Sequence, residues 1–175
     1  PTGFVTFKDG AAALGTGTLH GAGQATLTTS SLGAAAHTIT AAYGGSADFT
    51  ASTSAALTQT VNKAATATVV TSSPNPSVSG QAVTFTATIT AVAPGSGVPA
   101  GTVAFTEGAT VLASGVVVDG TGRAAFTTST LGAGSHVITA AFTGTSNWPN
   151  SSGTAPPEGG HAAPTQRTSP PAAAP

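Results

Sequence analysis

Any acid–base chemistry in this chain of 175 residues has to be assembled from four Lys or Arg, five Asp or Glu and four His. The carboxylates Asp9, Asp48, Glu107, Asp119 and Glu158 stand apart along the sequence. They offer neither a paired general acid and base nor the cluster of hard oxygen ligands that calcium takes. Among the histidines, His37 and His136 recur at equivalent positions of an internal repeat, so they fall in separate units and cannot converge on one metal ion. His20 reads as a turn residue and His161 as part of a C-terminal tail. Lys8, Asp9 and Asn62 have the residue types of a lysine–asparagine isopeptide crosslink, but that bond needs a buried lysine. Lys8 reads as a turn residue, and its repeat equivalent is Thr106. The glycines of Leu19-His20-Gly21-Ala22-Gly23-Gln24 lie between two strands and open no helix, so they carry no phosphate-loop logic. No nucleophile, base and orienting group can be drawn together. The chain reads as a non-enzyme, with no catalytic, cofactor-binding or metal-binding residues.

Composition narrows the remaining classes. Charged residues make up 5% of the chain and the net charge is −1, which excludes an electrostatic nucleic-acid binder and a polybasic membrane-surface protein. Hydrophobic residues reach 39%, yet no run approaches the roughly 18 apolar residues of a spanning helix. With no Cys there are no disulfides or thiolate metal sites. The chain begins abruptly at Pro1 and reads as a fragment.

The elements that would position any site are set by the repeat. PTGFVTFKDGAAALGTG from Pro1 matches PAGTVAFTEGATVLASG from Pro99, an offset of 98. QATLTTSSLGAAAHTITAAYGGSADF from Gln24 matches RAAFTTSTLGAGSHVITAAFTGTSNW from Arg123, an offset of 99 that places one inserted residue near Asp119. Substitutions between the copies keep chemical type: Phe7 with Phe105, Leu27 with Phe126, Tyr43 with Phe142, Phe49 with Trp148.

Both copies alternate apolar residues with Thr, Ser or Ala, the period-2 mark of a half-buried strand. Val83, Phe85, Ala87 and Ile89 predict one face of a strand and Thr84, Thr86, Thr88 and Thr90 the other; Val103 and Phe105 begin a second such face. Threonine is β-branched and covers a solvated pleat where other proteins use charge. Lys8-Asp9-Gly10, Glu107-Gly108, Asp119-Gly120 and Gly44-Gly45 read as turns, and Ser73-Pro74-Asn75-Pro76 bars a helix. Short strands at this spacing predict an all-β sandwich or barrel.

The pattern carried by Pro1, Gly3, Val5, Phe7, Gly10, Leu14, Leu32, His37, Ile39, Tyr43 and Phe49, and repeated in the second copy, resembles the tandem bacterial immunoglobulin-like repeats of large secreted and surface proteins. SSPNPSVSGQAVTFTATIT from Ser72 resembles the opening strands of such a unit. The resemblance spans about residues 1–148 and implies seven-strand Greek-key β-sandwiches that serve as spacer or adhesion-stalk modules, extracellular or on the cell surface. It implies no catalytic residues.

On this reading residues 1–63 are a partial repeat running from strand C to strand G, residues 64–148 a repeat running from A to F, and residues 149–175 a Pro/Ala/Gly/Ser-rich disordered tail. The first copy is expected to lack its opening strands and the second its closing strand, which leaves an open edge. Strand pairing is expected in chain order; the alternative lets residues 64–90 complete the first copy. His37 and His136 are expected to bond back to the backbone at a corner, as a tyrosine does in related sandwiches. Tyr43, Phe49 and Trp148 are expected in the core or its lid rather than in a sugar-stacking platform, because the copies share bulk at these positions. The Asn150-Ser151-Ser152 sequon matters only in a glycosylating host. The expected partners are neighbouring immunoglobulin-like repeats, together with a surface glycan or protein if loops or the open edge bind.

Overall fold

The computed structural model of the chain describes residues 1–161, all of it strand, turn or irregular backbone. The chain divides into two compact units, Pro1–Lys63 and Ala64–Pro175.

The first unit holds five strands, β1 (Phe4–Asp9), β2 (Ala12–Thr18), β3 (Ala36–Tyr43), β4 (Ser52–Thr53) and β5 (Leu57–Thr60), in one antiparallel sheet. Its order is β2-β1-β3-β4, with β5 also on β3. The second unit holds β6 (Thr66–Ser73), β7 (Ser77–Val78), β8 (Val83–Ala91), β9 (Gly101–Glu107), β10 (Thr110–Val117), β11 (Arg123–Thr128), β12 (Gly134–His136), β13 (Ile138–Gly144), β14 (Ser151–Thr154) and β15 (Glu158–His161). One sheet runs β10-β9-β13-β14 and another β11-β8-β6; β15 bridges β12 and β7. Strand β8 pairs with β6 on one side and with β11 on the other, all inside the second unit, in chain order.

In the second unit the alternation becomes a sandwich core. Val83, Phe85, Ala87 and Ile89 of β8 face Val103 and Phe105 of β9 and Ile138, Ala140 and Phe142 of β13, and each is essentially fully buried. Burying each large side chain contributes about 1.5–3 kcal/mol. The rings of Phe105 and Phe126 stack with centroids 5.9 Å apart. Outward positions carry threonine, with Thr84 and Thr127 joined across β8 and β11 by a 2.8 Å hydroxyl contact. The β1–β2 and β9–β10 turns are matched, Gly10 and Gly108 both sitting at φ +54°, where glycine carries no Cβ penalty.

Four sequence expectations are corrected. The second unit does have its closing strand. The pairings Tyr43–Ser52 and His37–Gln59 of the first unit recur as Phe142–Ser151 and His136–Glu158, each 99 residues on. Residues 151–161 therefore close the sandwich, and the edge of β13 is occupied. The sequence hides this strand because backbone groups and hydroxyls hold it: Ser151 Oγ meets Thr66 and Thr68 hydroxyls at 2.9 and 2.7 Å, and Ala155 alone is buried among its apolar side chains. The expected tail thus begins too early at 149, and its remainder, residues 162–175, lies outside the described residues.

The inserted residue, expected near Asp119, falls earlier. Register partners stand 98 apart through Gly15 and Ala113, then 99 apart at Gly17 and Val116. The extra residue is absorbed as a bulge at Ser114-Gly115, where Gly115 takes φ +68°. Finally, Lys8 lies within β1, paired with Thr40 and Ala13, rather than in the turn.

Candidate functional site

Two constellations stand out, one small and polar, the other broad and apolar. The first joins the end of β1 to the start of β3. Asp9 and Ile39 are register partners, so Asp9 ends its strand beside the residues that lead into β3. His37 Nδ1 lies 2.7 Å from Asp9 Oδ2, while Nε2 lies 2.9 Å from the carbonyl of Gly33. Asp9 Oδ1 also accepts from the Thr38 amide at 3.1 Å. The second unit repeats the clamp: His136 Nδ1 sits 2.8 Å from Glu107 Oε1, with Nε2 3.2 Å from the Gly132 carbonyl. The contact to the backbone four residues upstream is the corner bond expected from the sequence. The carboxylate partner was missed, although Asp9 with Glu107 and His37 with His136 were visible as repeat equivalents; only the strand register brings each acid to its histidine.

Both partners of the His37 ring are acceptors, so both nitrogens donate only in the imidazolium form. The Gly33 carbonyl, followed by the Asp9 carboxylate, holds the His37 pKa above its ordinary 6.5, with desolvation opposing. A folded-state pKa above the unfolded value stabilises the fold fully below about 6.5, and that contribution is lost as pH rises through the folded value. We expect the NMR midpoint of His37 to lie above 6.5 and to fall on Asp9→Asn. A midpoint that does not move in that variant means the clamp is not formed in solution.

The other candidate residues are dispersed. His20 stands in a turn where the second unit has Asp119: the bonds His20 N to Gln24 O and Gly23 N to His20 O recur as Asp119 N to Arg123 O and Gly122 N to Asp119 O. Asp119 Oδ1 also accepts from the Thr121 hydroxyl and from the Thr121 and Arg123 amides, which hold its carboxyl below the usual range. Asp48 and Asn62 are exposed, and Glu158 and His161 fall in β15. Asn150 of the sequon accepts from the Gly144 amide through its Oδ1 at 3.1 Å. Among the described residues no three His, Asp or Glu side chains come together as a metal site, and no helix is long and apolar enough to cross a membrane.

The aromatics differ in their cover. Trp148 is half-buried and packs against the second unit's core, as expected, and Tyr43 is half-buried with its hydroxyl donating to the Thr2 carbonyl at 2.9 Å. Phe49, the counterpart of Trp148, departs from the expectation and is 49% exposed.

The second constellation is the inward face of the first unit's sheet. Val5 is buried, but Phe7, Ile39, Ala41 and Tyr43 are only half-buried, whereas their counterparts Phe105, Ile138, Ala140 and Phe142 are sealed beneath β8. Residues 24–29, which correspond to β11, form no strand, and among the described residues no strand pairs with them. The face holds two hollows. One, of about 530 Å³, is lined by Leu27, Leu32 and Val61. The other, of about 350 Å³, is lined by Val5, Leu19 and Gly23.

The comparison with known protein families agrees with this architecture. The bacterial Ig-like domain (group 3) family matches residues 1–62 and again residues 70–157, so the chain belongs to that family as a tandem pair. No curated protein and no solved structure matches it. Bacterial Ig-like domains are generally non-catalytic structural modules and commonly occur in extracellular or surface proteins.

Proposed function

We propose that the chain is a non-catalytic spacer, two links of an adhesion stalk in a secreted or surface-attached bacterial protein, each sandwich adding length between an anchor and a distal region. The observation that supports it most directly is how the second unit's opening segment, β6 and β7, is held to its closing segment, β14 and β15. β7 and β15 run parallel, Ser77 beside Gly160 and Val78 beside His161, and β14 is laced to β6 through Ser151. Tension applied at the two ends of such a unit pulls neighbouring parallel strands in opposite directions, so their hydrogen bonds are loaded together in shear. A hairpin pulled from its open end breaks its bonds one at a time.

Single-molecule pulling tests this, and the absence of Cys makes engineered cysteine tethers unique. Pulled end to end, the second unit is expected to resist to a force several-fold above that needed between the open ends of the β9–β10 hairpin. It then releases roughly 300 Å of chain. Equal forces in the two geometries would sink the spacer reading.

A further inference from the structure

The histidine clamp reaches beyond the corner it closes. In the first unit the segment it holds is also the shelf on which the closing strand β5 lies. Ala36 pairs with Thr60 and His37 with Gln59, and the Ala35 carbonyl accepts the Val61 amide at 2.9 Å. In the second unit all of β12 pairs with β15: Gly134 with Gly160, Ser135 with Gly159, His136 with Glu158. In each repeat, then, one imidazole joins the end of a hairpin strand, which supplies the carboxylate, to the residues that seat the last strand.

The proton on that imidazole decides whether the joint holds. Charged, the ring has two N–H groups for its two acceptors, Asp9 Oδ2 and the Gly33 carbonyl in one repeat, Glu107 Oε1 and the Gly132 carbonyl in the other. Neutral, it keeps one. The carboxylate retains that N–H, since a charged acceptor makes the stronger bond, and the other nitrogen turns a lone pair on the carbonyl. The histidine side chains are only 12% and 17% exposed, which leaves little room for water to replace the lost bond. Of the strands that meet at the clamps, β1 brings Lys8 and Asp9, β9 brings Glu107, and β15 brings Glu158 and His161; β3, β5, β7, β12 and β13 add no charge beyond the two histidines. Lys8 alternates to the face of β1 opposite Asp9, so no cation on these strands opposes the charged form of His37.

We infer that each repeat carries a proton-operated latch on its closing strand. With the histidine charged, residues 33–37 and 132–136 are held firmly, and β5 and β15 stay seated. Loss of the proton frees the corner carbonyl, the shelf loosens, and the last strand frays. For β15 the fraying also undoes its pairing with β7. The sign is the same in both repeats, so mild acid tightens the pair together and mild alkali slackens it. The latch stands apart from the spacer role, because it is read at single amides with no force applied.

The test is amide hydrogen exchange on the isotope-labelled full chain over a pH series, each rate corrected for the intrinsic pH dependence of exchange. From about pH 5.5 to about pH 8.5, a range that brackets the imidazole, protection of Val61 and of the β15 amides is expected to fall several-fold. Protection of the β1–β2 ladder and of Ile89, whose amide donates to the Gly122 carbonyl in the second unit's core, should stay constant. His37→Gln and His136→Gln should each flatten the profile of their own repeat alone. If a glutamine variant does not fold, Asp9→Asn and Glu107→Gln serve instead and should move the fall to lower pH. Closing-strand protection that ignores pH overturns the inference, as does a midpoint unmoved in the carboxylate variants. So does a fall matched at the β1–β2 ladder or at Ile89, which means that the whole unit loosens. A fall that persists in the glutamine variants overturns it too, since another group then titrates.

Discussion

Phe105→Ala is expected to destabilise the second unit by about 3–5 kcal/mol, the loss typical of deleting a fully buried phenylalanine ring. That is a large share of the about 5–15 kcal/mol that holds a domain folded. Phe105 is fully buried, packed between β8 and β13 and stacked on Phe126. The cavity left by the ring lies in a core that also holds Phe85 and Phe142, both fully buried and carried by opposed sheets, so the site has little freedom to collapse. Trp148 is the single tryptophan and sits against this core, so its fluorescence during denaturant unfolding reports the second unit directly.

Phe7→Ala, the same change at the equivalent position, is expected to cost about 1 kcal/mol or less in the first unit, read from exchange of the β1 and β3 amides. Its ring is only half-covered, and a side chain already in contact with water has little transfer energy to lose. Equal costs at the two positions would mean that the inward face of the first unit is covered in solution.

The second large effect concerns the strand that the sequence conceals. A Cβ added at Gly153 runs into the backbone carbonyl of Thr68, on the neighbouring β6, and a carbonyl in a paired strand has nowhere to retreat. Gly153→Val is expected to pry β14 from its place and cost about 1–3 kcal/mol or more. Loss of the strand also bares the edge of β13, so the variant should associate with itself at high concentration. Gly120→Ala, where nothing stands within 4 Å of the added carbon, serves as the control and should leave the unfolding midpoint unchanged. A Gly153→Val protein as stable and monomeric as the control would mean that residues 151–154 are not a working part of the sheet.

These two positions also show where the sequence was legible. Phe105 announces itself, because β9 alternates apolar and threonine residues and its copy does the same 98 positions earlier. The strands, the repeat and the family resemblance all follow from that pattern. The closing strand has no such signal: Ser151-Ser152-Gly153-Thr154-Ala155-Pro156-Pro157 reads as a linker by composition. It folds because the ladder groups of β13 are indifferent to side chains and because glycine lets β14 approach β6 closely. The candidate clamp was half legible for a related reason. His37 and Asp9 could each be matched to a counterpart, but their 2.7 Å contact depends on the β1–β3 register, which no local motif records. The open face was foreseen in part, since the first copy was expected to lack its opening strands; the two hollows it bears are a property of packing alone.

The threonine-covered exterior has one more consequence. A string of highly charged beads stiffens in dilute electrolyte and slackens in brine, because repulsion between neighbours grows and shrinks with the Debye length. Units that present hydroxyls such as Thr84 and Thr127, and almost no charge, give dissolved ions nothing to screen. A tandem chain built from them keeps the same reach in rainwater and in seawater.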